Sequence, residues 1–384
     1  MITTTAWVLH KGPDQGEEAL AERLREETYV LGDVAPGEVL VEPLYGCWEG
    51  NMSHAVERDP VDICAQRRED RVVIGNAGVV RVLRPGAAVA DLAEGDLCLV
   101  YCNGVPDARG YPEKIYAYDA PGTVGLLAKR TKLDWRQLIP VPESRRYSLR
   151  QWAAFSLRYI TAWANWHAAD GCWRSLSGEP GPAEVWGWGG GVTFAQLTLA
   201  ALVGARATMI SAQRCRRELM AAHGLHGLDR GDFPHLSFDP QLYATDAAFK
   251  ERYLDSEQRF LQTVDERTAG KGVAIFVDFI GLPVYRATLK ALARPGVITT
   301  AGWKEGMVLT TLRAVECIHW HAHIHTHYAR RDQALAAMAF AEETGWMPPE
   351  ENGLHRWEEI PALAQAHCAG SMGSFFPLFE INPY

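Results

Sequence analysis

The stretch EVWGWGGGVTFAQ, residues 184–196, decides the fold of this 384-residue chain. It reads as a buried strand that ends in a glycine-rich turn and passes directly into an apolar helix. Glycine in such a turn lets the backbone bend tightly and approach a pyrophosphate, whose charge the helix N-terminus favours. The pattern predicts a dinucleotide-binding turn, and a glycine-rich turn without a ligand is the alternative. The predicted contacts are Gly187, Gly189, Gly190, Gly191 and Val192.

Strands and helices alternate around this turn. Helical spacing marks residues 148–169, and an apolar strand is expected at 273–281. We expect a helix through YRATLKALARPG, residues 285–296, and a strand directly after it. The polar residues 229–270 read as a largely helical insertion. This alternation predicts an α/β fold with a doubly wound parallel sheet covered by helices on both faces.

The first 149 residues have a different character. Residues 36–48 and 71–83 read as strands, and turn signals at Pro85-Gly86 and Glu94-Gly95 separate the short segments that follow. Short strands at this spacing predict a compact β-rich domain. The chain is therefore divided into a β-rich domain over residues 1–149, a nucleotide-binding domain over 150–330 and a C-terminal segment over 331–384.

Composition excludes several classes of protein. The net charge of −9 disfavours a general nucleic-acid binder, which needs a basic face. No apolar run approaches the roughly 20 residues of a membrane span. The N-terminus has no signal-peptide pattern, and the eight cysteines are scattered rather than arranged as a disulfide framework. These features favour a cytoplasmic protein with no membrane or nucleic-acid partner.

The end of the second strand of the nucleotide-binding domain indicates which cofactor is bound. A preference for NAD usually requires Asp or Glu at that point to bind the ribose 2′-hydroxyl, and neither is present. Ser211, Arg214 and Arg216 follow the strand instead, with Arg217 next to them. A hydroxyl and guanidinium groups suit a 2′-phosphate, so the sequence predicts NADPH. Some of these arginines could instead form a solvated helix face.

The order of these motifs resembles the medium-chain dehydrogenase/reductase superfamily. Within it, the chain is most similar to the crotonyl-CoA carboxylase/reductase and enoyl reductase branch. That similarity rests on KIYAYDAPGT at 114–123, the glycine turn at 184–196, and HIHTHYARRDQA at 323–334. The resemblance implies a Rossmann domain beside a GroES-like catalytic domain, to which the C-terminal segment returns. It also implies a small-molecule substrate and a homodimer.

Departures from the superfamily pattern bear on metal and cofactor. The zinc enzymes carry a cysteine in the first strand, for which Cys47 could stand, and a histidine in a turn that reads Gly75-Asn76-Ala77 here. Without that histidine we expect no zinc, because a catalytic site would lack an essential ligand. Thr193 stands where the family has the last glycine of the loop, so the cofactor geometry could differ slightly.

The resemblance also implies roles around the reacting atoms. Thr161 matches a threonine close to the nicotinamide. Tyr118-Asp119 and His327 match groups that hold carbon dioxide in the carboxylating enzymes, and Glu49 falls near a third, an asparagine. A carboxylate at Glu49 would repel carbon dioxide, so reduction without carboxylation is expected. Glu49, Asp119 and His327 are then candidate proton donors, with His327 preferred. Each could equally be a structural hydrogen-bonding group.

Further residues are expected to line the substrate pocket: Trp48, Asn51, Asn76 and Tyr118. The expected reaction is reduction of an activated C=C bond by NADPH. A zinc-independent carbonyl reductase or alcohol dehydrogenase for a polar, sugar-like substrate is the second hypothesis. A non-catalytic dinucleotide-binding protein is the third.

Five histidines alternate at positions 319, 321, 323, 325 and 327. On one strand all five would point to the same face, as a metal or proton-relay site would require. A polar strand face at a cleft wall or subunit contact is the alternative, and the spacing of about 7 Å between neighbours disfavours a shared metal ion.

Overall fold

The computed structural model describes residues 1–12, 18–144, 146–350 and 353–384. These divide into two compact units. Unit 1 comprises Met1–Ile160 and Arg330–Tyr384, and unit 2 comprises Thr161–Ala329. The first boundary lies within one long helix, Leu149–Ser177.

The strands, in chain order, are β1 Ile2–His10, β2 Leu24–Gly32, β3 Glu38–Cys47, β4 Arg71–Val72, β5 Gly78–Pro85, β6 Leu97–Val100, β7 Asn103–Pro106, β8 Pro112–Ile115, β9 Thr131–Asp134, β10 Leu138–Pro140, β11 Glu184–Trp188, β12 Arg206–Ser211, β13 His226–Asp229, β14 Val273–Asp278, β15 Leu292–Thr300, β16 His321–His325, β17 Leu354–His355 and β18 Leu378–Glu380.

The α-helices are α1 Gly50–Glu57, α2 Ile63–Arg67, α3 Leu149–Ser177, α4 Gly191–Leu202, α5 Arg214–Ala222, α6 Pro240–Thr245, α7 Ala247–Thr268, α8 Leu282–Ala291, α9 Arg313–His319, α10 Arg331–Thr344 and α11 Ile360–Cys368. Short 3-10 helices lie at Leu20–Glu22, Trp135–Gln137, Arg230–Asp232 and Trp357–Glu359.

Unit 2 contains a six-stranded sheet in the order β13-β12-β11-β14-β15-β16, and every neighbouring pair is parallel. The order runs outward from β11 in both directions, as in the doubly wound dinucleotide-binding fold. Trp188 of β11 stacks on Phe260 of α7, with ring centroids 5.0 Å apart. Helices α6 and α7 occupy most of 229–270, which confirms a largely helical segment, and α7 contributes to the core of the unit.

Unit 1 is β-rich. In the described residues its sheets include the path β10-β6-β5-β3-β18-β17, with β9 also paired to β3, and a second sheet ordered β2-β1-β4. The C-terminal strand β18 pairs antiparallel with β3 through Phe379 and Gly46. The end of the chain thus completes the sheet that the first hundred residues begin. The prediction of a parallel-sheet domain and a β-rich domain is confirmed.

Two local predictions are wrong. The helix expected through residue 296 ends at Ala291, and β15 begins at Leu292. Pro295 explains the difference, because the residue before a proline is disfavoured in helical geometry. The five alternating histidines do not share a strand: only 321, 323 and 325 lie in β16. His319 ends α9, and Trp320 turns the chain with a left-handed φ of 59°.

Within the described residues, no helix is both long enough and apolar enough to cross a membrane.

Candidate functional site

The glycine turn of unit 2 lies at the carboxyl end of β11. Gly189 has a φ of +150°, and a Cβ there would lie 2.2 Å from the Thr193 hydroxyl oxygen. At Gly187, a Cβ would lie 2.8 Å from the Thr193 methyl group. Gly187 and Gly189 therefore leave room for Thr193, which is fully buried in the first turn of α4. This packing explains how a threonine can stand where close helix–strand contact usually requires glycine.

The exposed side of the same turn is open. A Cβ added at Gly190 would meet no atom within 4 Å, and Gly190 precedes the 12-residue helix α4 without a side-chain cap. Gly191 and Val192 begin that helix. The strand, turn and helix predicted from residues 184–196 are confirmed, and the free space over Gly190 fits a phosphate group approaching the helix N-terminus.

Ser211 ends β12, and Arg214 begins α5. The Arg217 guanidinium donates to the Ser211 carbonyl oxygen at 2.9 Å and pairs with Asp229 at 2.7 Å. Arg217 therefore has a structural role in joining β12 to β13. The Arg214 side chain is 85% exposed and pairs at 2.7 Å with Glu218, which is itself 62% exposed. Such an exposed pair is worth little and can exchange for a ligand.

Asp278 is a buried acid that the sequence reasoning missed. It ends β14, and its Oδ1 accepts hydrogen bonds from the backbone N–H groups of Ile280 and Gly281 at 2.9 and 3.0 Å. The Thr288 hydroxyl donates to Oδ2 at 3.1 Å. Burial raises the pKa of Asp278 to about 6 despite these bonds. An acidic residue ending an apolar strand, as in VAIFVD, was the available signal.

Asp278 and Tyr285 line a cleft of about 260 Å³ in unit 2, together with Thr300, Trp303 and His325. Beside it, the Tyr285 hydroxyl lies 3.0 Å from His323 Nδ1.

Glu316 organises two of the alternating histidines. Its Oε2 lies 2.9 Å from His321 Nδ1 and 3.0 Å from His323 Nε2. These bonds give the histidines a structural role between α9 and β16. No group of three or more His, Cys, Asp or Glu side chains suited to a metal ion occurs in the described part of the chain.

Two remaining sequence-predicted residues lie in unit 2. Thr161 is 5% exposed on α3. His327 follows β16, and its ring lies 4.0 Å from that of Tyr328 in an edge-on arrangement.

Unit 1 contains a buried ion pair between Glu49 and Arg158. Arg158 Nε lies 3.2 Å from Glu49 Oε2, and the two side chains are 6% and 4% exposed. The same guanidinium donates to Cys47 Sγ at 2.7 Å and to the Trp48 carbonyl oxygen at 2.7 Å. Arg158 thus binds three consecutive residues at the junction of β3 and α1. The sequence analysis did not identify Arg158 as a functional residue.

Burial dominates the electrostatics of this cluster. It raises the pKa of Glu49, although the Arg158 charge and a hydrogen bond from the Cys47 thiol oppose the shift. Burial also raises the pKa of Cys47 well above its usual range, so the thiol stays protonated near neutrality. Glu49 can therefore hold a proton at a higher pH than an ordinary glutamic acid.

Buried polar atoms of Glu49, a member of the ion pair, and of Asn76 lack hydrogen-bond partners among the described residues. They are Glu49 Oε1 and both polar atoms of the Asn76 side chain. Asn76 precedes Ala77, whose carbonyl oxygen accepts from the Cys47 backbone N–H at 3.0 Å. Buried polar atoms are normally paired, so unpaired ones of this kind fit a site that receives a polar group from a ligand. Glu49 follows β3, and Asn76 precedes the residue that binds the last residue of β3, so both lie at the same end of this strand.

The other residues predicted for the site have packing or turn contacts. Trp48 is fully buried, and its Nε1 donates to Ser53 Oγ at 3.0 Å. Asp119 Oδ1 accepts from the Ile115 backbone N–H at 2.6 Å and so closes a turn. Tyr118 is half-buried next to it, and burial raises its pKa. Asn51 lies in the first turn of α1.

No protein-family model matches this sequence, and no curated protein matches it. Solved structures match over the whole chain. A crotonyl-CoA carboxylase/reductase in complex with NADP has a TM-score of 0.81 at 20% identity, with 99% of this chain and 95% of that chain covered. A 2-octenoyl-CoA carboxylase reductase in complex with NADP and 2-octenoyl-CoA has a TM-score of 0.81 at 17% identity, covering 100% and 88%.

A thermostable alcohol dehydrogenase from Pyrobaculum aerophilum is also similar. Its TM-score is 0.73 at 16% identity, with 99% of this chain and 100% of that chain covered. At this level of identity the likeness concerns the fold. The chain therefore shares the fold of these carboxylase/reductases and of this alcohol dehydrogenase.

Proposed function

We propose that this protein is an NADPH-dependent reductase of an activated C=C bond, in an enone or an enoyl thioester, that works without zinc and without carboxylation. The observation that carries the proposal is Glu49, a buried acid with a raised pKa. One of its oxygens is held by Arg158, and the other has no hydrogen-bond partner in the residues described. The similar structures solved with NADP, and in one case with 2-octenoyl-CoA, support the cofactor and substrate class.

Unit 2 would hold the cofactor. The open turn at Gly189, Gly190, Gly191 and Val192 suits the pyrophosphate, and Ser211, Arg214 and Arg216 suit the 2′-phosphate. Thr161 is proposed to lie beside the nicotinamide. Bound NADPH would supply the hydride.

Unit 1 would supply the proton. A carboxylic acid can protonate the carbon next to the reduced one if it holds a proton near neutral pH, and burial shifts Glu49 in that direction. Arg158 fixes Oε2, so Oε1 is the atom that would carry the proton. Asp119 already accepts a 2.6 Å hydrogen bond in a turn, which makes it the weaker candidate. His327 is the competing donor.

Replacement of the two candidates distinguishes them. Glu49→Gln should lower turnover by about 10²–10⁴-fold, the usual contribution of a general acid, and leave NADPH affinity unchanged. His327→Phe should retain most of the activity. The opposite pattern, with full turnover in Glu49→Gln and loss in His327→Phe, would transfer the role to His327.

The proposed lack of a zinc requirement rests on the donor set. A cysteine binds zinc as the thiolate, but burial raises the pKa of the Cys47 thiol and the Arg158 guanidinium already donates to its sulfur. Asn76 offers only a neutral amide.

The proposed lack of carboxylation rests on position 49, because Glu49 lacks the amide N–H donors of the asparagine that the resemblance implies for holding carbon dioxide. Reduction in the presence of labelled bicarbonate should give an unlabelled product, and labelled product would refute this part.

The polar atoms of Glu49 and Asn76 favour a second candidate, a zinc-independent carbonyl reductase or alcohol dehydrogenase for a hydroxylated substrate. A non-catalytic dinucleotide-binding protein is the third. NADPH oxidation measured with an enone, an enoyl thioester and a polar ketone separates the three, because only the matching substrate will be consumed and a non-catalytic protein will consume none.

A homodimer is also proposed. Strand β16 is at an edge of its sheet, and exposed apolar residues precede it: Leu312, Ile318 and Trp320, at 70%, 65% and 58%. Sedimentation of the purified protein tests this, and a monomer at micromolar concentration would contradict it. A cytoplasmic location stays a prediction.

A further inference from the structure

A second cleft, of about 290 Å³, lies within unit 1 and is lined by four arginines: Arg109, Arg136, Arg330 and Arg331. Asp134 and Asp332 also line it, so the cleft carries two more positive than negative side chains. This excess is notable in a chain whose net charge is −9.

The four guanidinium groups differ in how they are held. Arg136 forms a two-point contact with Asp134, through Nε at 2.8 Å and Nη2 at 2.7 Å. Arg330 pairs with Asp332 at 2.9 Å. Arg331 donates only to neutral backbone carbonyl oxygens, at 3.3 Å each. For Arg109, which is exposed, the described residues provide no side-chain ion pair.

Two further features point into the same cleft. The 14-residue helix α10 begins at Arg331, so the partial positive charge of its N-terminus adds to that of the arginines. The Nε–H of Arg330, the residue that precedes this helix and also lines the cleft, is a buried donor without a hydrogen-bond partner in the described part of the chain.

We propose that this cleft binds a phosphate monoester. Such a group carries a charge of about −1.5 to −2, which matches the excess of two arginines. Guanidinium groups bind phosphate oxygens in pairs, and helix N-termini favour the same anion. A water molecule occupies about 30 Å³, so the cleft has room for the phosphate and part of the molecule that carries it.

The molecule that carries this phosphate would be the substrate of the proposed reductase, so this step rests on the proposed function. Val79 of β5 pairs with Tyr45 of β3 and with Leu99 of β6, so Glu49 after β3 and the cleft residues Tyr101 and Asn103 after β6 follow the same end of the sheet. A substrate whose reacting end lies at Glu49 could therefore place a phosphorylated nucleotide end in the cleft. Trp135, which also lines it and is 36% exposed, offers an aromatic face to a base.

Calorimetric titration of the full chain with inorganic phosphate, adenosine 3′,5′-bisphosphate and adenosine tests the site. Phosphate and the bisphosphate should bind, and adenosine should not. Tighter binding of the bisphosphate would identify a nucleotide carrier, and equal binding would identify a site for the phosphate group alone. No binding of either phosphate compound at millimolar concentration would overturn the proposal.

Three variants test whether the phosphate compounds bind in this cleft. Arg109→Ala should weaken the binding by about ten-fold, the value of one charged hydrogen bond. Asp332→Asn should strengthen it by about two- to five-fold, because it removes a repelling charge and releases Arg330. Arg252→Ala, an exposed arginine on α7, is the matched control and should have no effect.

Arg214→Ala separates this proposal from the cofactor site. If that change abolishes phosphate binding and Arg109→Ala does not, the ion binds at the proposed NADPH site and the cleft proposal is wrong. If Arg109→Ala weakens bisphosphate binding but the protein oxidises NADPH with none of the three substrates, the cleft proposal stands and the proposed reductase function fails. A rise in affinity for Asp332→Asn cannot result from damage to the fold, so it tests the charge argument directly.

Discussion

Removal of Arg158 should leave the buried Glu49 carboxylate without its ion-pair partner. Arg158 Nε and Glu49 Oε2 are 3.2 Å apart, and both side chains are almost fully buried. With an effective dielectric constant near 20, two unit charges at that distance attract by about 5 kcal/mol. Part of this offsets the cost of burying them, and loss of one partner from such a pair typically costs about 3–5 kcal/mol. We expect Arg158→Met to lower the free energy of unfolding by that amount above neutrality, where Glu49 is ionised.

The assay is denaturant unfolding of Arg158→Met, Glu49→Gln and the double variant. Because the pair acts together, the double variant should be more stable than the sum of the single effects predicts, by at least about 2 kcal/mol. Arg150→Met, at an exposed position of the same helix, is the control and should cost less than about 1 kcal/mol. Effects that add to within about 0.5 kcal/mol would refute the coupling.

The pH dependence has a definite sign. Burial raises the folded-state pKa of Glu49 above its model value of 4.5, and loss of Arg158 should raise it further. An acid with a raised folded pKa binds more protons in the folded state. Its stabilising contribution is therefore complete below the unfolded pKa and is lost as the pH rises through the folded pKa. The deficit of Arg158→Met should shrink at acid pH and be largest above neutrality; a deficit that grows on acidification would contradict this account.

Three further predictions concern unit 2 and metal. Arg214→Ala combined with Arg216→Ala should reduce the preference for NADPH over NADH by about 1.5–3 kcal/mol, and equal affinities in the unmodified protein would exclude a 2′-phosphate site. The purified protein should contain less than one zinc per chain and retain its activity in a chelator, whereas one tightly bound zinc at Cys47 would contradict the donor argument. The folded-state pKa of Asp278 is about 6, against 3.8 for an ordinary aspartic acid, so the protein should lose about 3 kcal/mol of stability as the pH rises from about 4 to 6, and Asp278→Asn should remove this loss. Unchanged pH dependence of the thermal melting temperature would show that Asp278 is not the group responsible.

The sequence predicts the fold well because its signals are local. Alternating apolar strands and amphipathic helices imply a parallel sheet, and the glycines at 187, 189 and 190 mark the turn that opens α4. Where the prediction fails, a local signal was outweighed by neighbouring contacts. The alternating histidines have the period of a strand, but Glu316 binds His321 and His323 from α9, and the chain turns at Trp320 before β16 begins.

The candidate site is harder to predict because its members meet only in three dimensions. The positions of Glu49 and Asn76 in the sequence are enough to make them candidate site residues. Nothing in the sequence near Glu49, however, shows that its ion-pair partner Arg158 is more than a hundred residues away. The arginine cleft has the same property: Arg109, Arg136 and Arg331 come from three separate segments. The short helix that carries Arg136 connects β9 and β10, which pair with β3 and β6, whereas Arg109 lies between β7 and β8 of a separate two-stranded sheet.

One signal for Arg158 was nevertheless present in the sequence. It is the single charged residue in the run WAAFSLRYITAW, residues 152–163, a helix segment too apolar to face water. Burying an unpaired charge is expensive, so an arginine in such a run must have an acidic or strongly polar partner inside the protein. The acid that meets it is Glu49, which the sequence had already marked for a different reason. The cost of burying the Arg158 charge therefore implies a polar partner inside the protein, even though the sequence around Arg158 does not identify that partner.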